Sequence, residues 1–142
     1  MRRLRVLLLA CLPLVLAAAS GCKTYKYFDV QVKFDPATFT STDVFTINVC
    51  QVTVTGADSD QFILEPMTCV NRSPVGNPLT GGKFEFSTFA DSGTMTFKLD
   101  GYQGTSVSPA CLIGSGMTSI KVTSTMTLTG DLTVAKTGNG CQ

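Results

Sequence analysis

The chain has 142 residues, enough for one domain, and carries 11 basic and 10 acidic side chains for a formal net charge of +1. It contains no histidine, which excludes a Ser-His-Asp triad, a Cys-His pair and any zinc site that needs a histidine ligand. The basic residues form no block, so the electrostatic pattern of a nucleic-acid-binding protein is missing and no nucleic-acid partner is expected.

Residues 1–21 have the three parts of a secretory signal peptide. Arginines at positions 2, 3 and 5 precede an apolar stretch from Leu4 to Ala19, and the small residues Ser20 and Gly21 follow it. The apolar stretch is shorter than the roughly 20 residues that a transmembrane helix needs, and Pro13 interrupts it. We therefore expect residues 1–21 to be a signal helix that is removed from the mature protein.

The segment Ala19-Ser20-Gly21-Cys22 resembles the lipobox of bacterial lipoproteins, as in small myxobacterial-type lipoproteins of unknown function. The resemblance implies cleavage between Gly21 and Cys22, with covalent diacylglycerol and acyl lipid on Cys22. Ala19 departs from the family pattern, in which leucine is commonest there. Two or three acyl chains make a stable membrane anchor, whereas one chain binds reversibly. Lys23, where retained lipoproteins have aspartate, implies the outer membrane.

The number of cysteines distinguishes two interpretations of the N-terminal segment, lipid anchoring at Cys22 and ordinary secretion with cleavage near Ala19. Removal of the signal peptide leaves Cys22, Cys50, Cys69, Cys111 and Cys141. An odd number leaves one thiol unpaired in an oxidising compartment, whereas lipidation of Cys22 leaves four cysteines for two disulfides. Three pairings exist, and we favour Cys50 with Cys69 and Cys111 with Cys141 because each pair brackets one loop-rich half. No C-x-x-C pair supports a four-cysteine zinc site, so no metal is expected there.

After a short linker at 22–27, residues 28–142 are predicted to form the folded domain. Phe28–Phe34 alternates apolar and polar residues, which is typical of a half-buried strand. Val44–Thr55 changes phase near Cys50, which predicts a β-bulge or bend, or else a strand buried on both faces. A turn at 56–60, a short strand at Phe62–Leu64 and an irregular segment at Pro66–Gly82 follow.

The second half of the chain shows strand patterns separated by turn residues. The runs Phe84–Phe86 and Met95–Leu99, joined by the turn Ala90–Gly93, predict a hairpin. Further predicted features are a turn at Asp100–Gly101, a strand broken by Pro109 within 107–113, a strand at Ile120–Leu128, a turn at Thr129–Asp131 and a last strand at Leu132–Val134. Seven or eight short strands without helical periodicity predict an all-β domain. The predicted architecture is an antiparallel β-sandwich of immunoglobulin-like type, with a closed barrel as the alternative.

Few side chains are candidates for a site. Asp58 and Asp60 have Asp-x-Asp spacing in a turn, a weak calcium pattern because calcium takes six to eight oxygen ligands. Tyr102, in a glycine-flanked segment, is a candidate for stacking on a sugar. For Tyr25 and Tyr27, beside the anchor, core packing and membrane-proximal contact are the favoured roles.

These features predict a lipid-anchored, non-enzymatic protein of the cell envelope. No cofactor is expected apart from the covalent lipid on Cys22. The expected partners are the membrane, through that anchor, and an envelope protein or glycan. A carbohydrate- or calcium-binding surface module is the alternative. A hydrolase that uses paired carboxylates such as Glu65 and Glu85 is the second alternative.

Overall fold

The computed structural model of the protein describes residues 25–40, 46–56, 61–65, 67–69 and 80–141. The predicted signal peptide with its expected cleavage position at Gly21, the predicted lipidation site Cys22 and the calcium candidates Asp58 and Asp60 lie outside these ranges. Within them, no helix combines the length and the apolar character that crossing a membrane would require.

The described part of the chain is built mainly from β-strands, so the all-β prediction is confirmed. The strands are β1 (Tyr25–Phe34), β2 (Ile47–Thr55), β3 (Gln61–Ile63), β4 (Met67–Thr68), β5 (Thr80–Phe89), β6 (Thr94–Gln103), β7 (Leu112–Lys121) and β8 (Thr127–Lys136). A single 3-10 turn, Pro109–Cys111, precedes β7 at the proline that was expected to interrupt a strand.

The strands form one mixed sheet, which corrects the prediction of an antiparallel sheet and does not confirm an immunoglobulin-like sandwich. The strand order is β3-β2-β6-β7-β8-β1-β5, and β4 pairs with β2. β1 and β8 run parallel, with Phe28 opposite Leu128 and Phe34 opposite Val134, whereas the other pairs are antiparallel. Alternation reveals which face of a strand is buried but not the direction of its neighbour, so the sequence pattern could not show this parallel pair.

The sheet curls until its two ends approach each other. β3 and β5 occupy opposite ends of the strand order, yet the rings of Phe62 on β3 and Phe86 on β5 lie 5.6 Å apart. Phe97 on β6 lies at the centre of the enclosed core, 5.5 Å from Phe28 and 5.8 Å from Phe84 between ring centroids. The concave face of the sheet therefore forms the core, and the convex face meets solvent.

The predicted hairpin between Phe84–Phe86 and Met95–Leu99 is wrong. β5 pairs with β1, and β6 pairs with β2 and β7, so these consecutive strands share no ladder. The connection from β5 to β6, made by the buried residue Ala90 and the bends that follow it, leads the chain from one side of the core to the other. Inward-facing aromatic residues on β5 and β6 contact each other across the core, with the rings of Phe84 and Phe97 5.8 Å apart. Contact across a core and pairing in one ladder both produce alternating apolar and polar residues along a strand.

Two predicted glycine turns are also wrong, because Gly101 lies within β6 and Gly130 within β8. A Cβ atom on Gly101 would lie 2.9 Å from the Ile47 side chain, and one on Gly130 would lie 2.7 Å from Ile120. These glycines therefore mark close packing within strands and not changes of chain direction.

The segment Ile120–Leu128, predicted to be one strand, contains the end of β7 and the start of β8. β7 ends at Lys121 and β8 begins at Thr127, so the real reversal of the chain lies at 122–126. Val122 remains buried after β7 ends, and this continues the apolar alternation past the strand boundary. The apolar alternation in the sequence therefore does not show where β7 ends.

The phase change in the second strand is confirmed as a β-bulge. The register of β2 against β6 shifts between Ile47 and Val49, just before Cys50. Ile47 and Cys50 are both buried although three positions separate them, whereas regular alternation would put them on opposite faces. The bulge thus turns Cys50 inward.

Two disulfides join the same cysteines that the sequence favoured, Cys50 with Cys69 and Cys111 with Cys141. Cys69 also accepts a hydrogen bond from the backbone N–H of Gly82 on β5, at 2.9 Å. The first disulfide therefore connects β2 and β5, strands near opposite ends of the sheet, and stabilises the curl. Both disulfides lie at the end of the sheet where β1 terminates, which we call the disulfide end. The opposite end, where β1 starts at Tyr25, is called the anchor end because it lies nearest to Cys22 in sequence.

Candidate functional site

A concave site lies on the convex, solvent-facing side of β5, β1 and β8. It is a shallow depression of about 400 Å³. Its lining consists of Asp29, Gln31, Lys83, Thr129, Gly130 and Asp131. We call these residues, together with the adjacent Lys33 and Glu85, the polar face.

Strand register brings the polar face together. Alternation in β1 sends Phe28, Val30 and Val32 into the core and leaves Asp29 and Gln31 on the outer side. On one flank Asp29 and Gln31 are opposite Glu85 and Lys83 of β5, and on the other flank Gln31 is opposite Asp131 of β8. Gly130 lies between Thr129 and Asp131, opposite the inward-facing Val30, and reaches the depression with its backbone.

Ion pairs neutralise most of the charge on the polar face. The Nζ atom of Lys83 lies 2.8 Å from Oε1 of Glu85 and 3.3 Å from Oδ2 of Asp29. Lys33 forms a third ion pair, with Asp131. Exposed pairs of this kind contribute little to stability, about 0–1 kcal/mol each, so their main effect here is to orient the side chains.

An amide in the floor of the depression is fixed by the sheet itself. The Nε2 atom of Gln31 donates to the carbonyl of Gly81 at 3.0 Å and reaches the carbonyls of Val32 and Gly82 at 3.2 and 3.3 Å. This side chain is therefore held in place by β5. The polar face therefore offers hydrogen-bond donors and acceptors around a side chain whose amide is held by three backbone carbonyls.

The pKa of Lys83 provides a test of this arrangement. Hydrogen bonds to Glu85 and then to Asp29 raise the pKa of Lys83 above its usual value. The charged form is therefore favoured, and at alkaline pH both ion pairs are lost as the pH rises through this raised pKa. We expect Glu85→Gln to lower the pKa of Lys83 most and Asp29→Asn to lower it less.

NMR titration of the lysine side-chain resonances measures this pKa directly. Lys121, exposed at the end of β7, serves as the reference lysine because neither substitution is on its strand. Equal titration of Lys83 in all three proteins would show that the ion pairs do not persist in solution.

The other candidates from the sequence do not come together at one site. Glu65 is exposed just after β3, whereas Glu85 is exposed on the polar face and bound to Lys83. Tyr102 lies buried in β6, not in a loop, and burial raises its pKa. The sugar-stacking role considered for Tyr102 is therefore wrong. In the described ranges no group of three Cys, Asp or Glu side chains could hold a metal ion.

Sequence reasoning missed the polar face although part of the signal was visible. The alternation around Phe28–Phe34 placed Asp29, Gln31 and Lys33 on one outer surface. What the sequence did not reveal is that Asp131 lies beside them, because that neighbour depends on the parallel pairing of β1 with β8.

Comparison with known proteins gives one structural likeness. No protein-family model matches the chain, and no curated protein does. A fimbrial assembly protein from Parabacteroides distasonis has a similar fold, with a TM-score of 0.51 and 10% sequence identity. The alignment covers 79% of this chain and 52% of that protein, so this chain spans about half the length of its structural neighbour. The likeness concerns the fold alone.

Proposed function

We propose that this chain is a lipid-anchored, non-enzymatic protein of the bacterial cell envelope whose β-domain has a binding or structural role. The observation that carries the proposal is the short distance between the lipobox cysteine and the sheet. β1 starts at Tyr25, so only positions 23 and 24 separate it from Cys22. Three residues span at most about 10 Å, which holds the domain against the bilayer of the outer membrane.

Support for a non-enzymatic role comes from the chemistry of the polar face. Its carboxylates pair with lysines, the chain has no histidine, and the cysteines at 50, 69, 111 and 141 are in disulfides. The proposal accordingly includes no cofactor apart from the covalent lipid, and no nucleic-acid partner.

Support for the envelope comes from the disulfides and from the fold. Disulfides form and persist in exported proteins, and the neighbour of similar fold is a fimbrial assembly protein. The partner proposed for the domain is an envelope protein or glycan that contacts the side of the molecule away from the membrane.

Replacement of the lipobox cysteine tests the proposal. We expect the wild-type protein, expressed in a bacterium, to carry a lipid mass increment and to partition into the detergent phase. Cys22→Ser should lose both completely, because only the cysteine sulfur forms the thioether. Cys11→Ser is the matched control and should lose neither, since that cysteine leaves with the signal peptide. A soluble, unlipidated wild-type product cut near Ala19 would contradict the proposal.

A glycan-binding module is the second candidate function, and the depression on the polar face favours it. Fixed amide and carboxylate groups beside hydroxyl-bearing Thr129 are suited to hydrogen bonding with sugar hydroxyls. A thermal-shift screen with envelope oligosaccharides should raise the Tm of the wild-type domain. Asp131→Asn should reduce that rise, whereas Asp91→Asn, outside the depression, should not. An unchanged Tm with every ligand removes this candidate.

A further inference from the structure

A cluster of exposed aromatic residues occupies the anchor end of the convex face. Tyr25 and Tyr27 lie at the start of β1, and Phe89, at the end of β5, is directly opposite Tyr25 in the ladder. The ring of Tyr25 is 4.6 Å from that of Phe89 and 5.2 Å from that of Tyr27. We call these three residues the aromatic cluster.

The aromatic cluster leaves a large apolar area in contact with solvent. Tyr27 is 47% exposed and Phe89 is 51% exposed. Met126 is 58% exposed and adjoins the cluster through its backbone, because its carbonyl accepts a hydrogen bond from the N–H of Tyr27 at 2.9 Å. The Nζ atom of the buried Lys26 donates to the carbonyls of residues 124 and 125, at 3.1 Å each, and so fixes the loop that carries Met126. The surface is therefore held rigidly in its exposed position.

We propose that the aromatic cluster and Met126 dock onto the phospholipid surface beside the anchor. The inference rests on the proposed function, since it takes Cys22 to be lipidated. Tyr25 follows Cys22 by three residues, so the start of the cluster is within about 10 Å of the lipid attachment point. An interfacial group inserts about 5–10 Å into the boundary between headgroups and acyl chains, so the cluster lies at the correct depth.

The chemistry of the convex face fits this depth. Tyrosines are enriched where membrane meets water, because the ring is apolar and the hydroxyl is polar. The hydroxyl of Tyr25 already has a polar partner, Oγ of Ser87 at 2.8 Å. Along β1 and β5, charged residues begin two positions beyond Tyr27, at Asp29 and its neighbour Glu85, whereas the exposed Asp91 follows Phe89 in the turn at the anchor end. The two strands thus change from aromatic to charged side chains in the direction away from the anchor.

Docking would give the domain a second attachment point besides the lipid. An anchor alone permits rotation of the domain about the short linker, whereas a rigid aromatic surface beside it fixes the tilt. In this orientation the disulfide end points away from the membrane, and the polar face stays in water.

The lack of tryptophan makes the docking directly measurable. The chain contains no Trp, so Tyr27→Trp and Phe89→Trp each introduce a single fluorescent reporter without background. Met117→Trp is the matched control, because Met117 is 67% exposed on β7, outside the cluster. Each full-length lipoprotein is reconstituted into vesicles of phosphatidylethanolamine and phosphatidylglycerol, with and without brominated phospholipid. We expect blue-shifted emission and strong quenching by brominated lipid at positions 27 and 89, and neither change at position 117.

The possible results separate this inference from the proposed function. Intact mass is measured on the same samples. A lipidated protein whose reporters at 27 and 117 show the same emission and quenching overturns docking and leaves the lipid anchor standing. A blue shift that is present without vesicles overturns docking too, because another part of the chain or a second copy then covers the cluster. An unlipidated wild-type product overturns the proposed function, and docking with it.

Discussion

Phe97→Ala is expected to destabilise the domain by about 3–5 kcal/mol, which is a large part of the 5–15 kcal/mol that stabilises a typical domain. The Phe97 ring is fully buried on β6 and contacts the rings of Phe28 on β1 and Phe84 and Phe86 on β5. β6 shares no backbone ladder with β1 or β5. Side-chain packing around this residue therefore holds the facing parts of the curled sheet together, and truncation leaves a cavity at their contact.

Chemical denaturation followed by circular dichroism measures this loss, with Cys22→Ser as a common soluble background. Phe97→Leu should lose less than Phe97→Ala because it fills part of the cavity. Met117→Ala, at an exposed position on neighbouring β7, should change the free energy of unfolding by no more than about 0.5 kcal/mol. A loss below about 1 kcal/mol for Phe97→Ala would show that the two parts of the sheet do not depend on this contact.

The sequence predicted the fold class because alternation and turn residues depend on local physics. The first strand, the bulge before Cys50 and both disulfide partners follow from residues close in the chain. The architecture was wrong at long range. Alternating residues at Phe84–Phe86 and Met95–Leu99 are compatible with a ladder or with contact across a core, and only the whole sheet decides between them.

Glycine was the main local source of error. Gly101 and Gly130 were interpreted as turn residues, but each allows close approach of a side chain from a neighbouring strand. A glycine beside an aspartate, as at Asp100 and Asp131, is typical both of turns and of tightly packed strands. A packed side chain opposite the glycine, Ile47 for Gly101 and Ile120 for Gly130, distinguishes a strand from a turn. The local sequence does not show which side chain lies opposite.

The polar face was only partly visible for the same reason. Asp29 and Gln31 could be assigned to one surface from the alternation of β1 alone. Their neighbours Lys83 and Asp131 come from segments about 50 and 100 residues further along the chain. Long-range register, which no local pattern encodes, therefore decides which charges meet in the depression.

Removal of the two disulfides should have unequal effects. In the chain-entropy account, closing loops with sequence separations of 19 and 30 residues contributes about 3.3 and 3.7 kcal/mol, so the longer loop would count slightly more. The burial of the Cys50–Cys69 disulfide is expected to reverse this order of contributions to stability. Cys50 and Cys69 are both buried, and Cys69 also binds β5 through Gly82, whereas Cys141 is exposed.

We therefore expect Cys50→Ala with Cys69→Ala to destabilise the domain by about 3–5 kcal/mol, and Cys111→Ala with Cys141→Ala by about 2–3 kcal/mol. The first pair connects β2 to β5 inside the core, so its loss adds a cavity and weakens the closure of the sheet. The second pair mainly ties the end of the chain to the 3-10 turn before β7. Denaturant unfolding of both double variants in the Cys22→Ser background gives the two values. If the Cys111–Cys141 variant loses more, chain entropy and not the closure of the curled sheet determines the contribution of each disulfide.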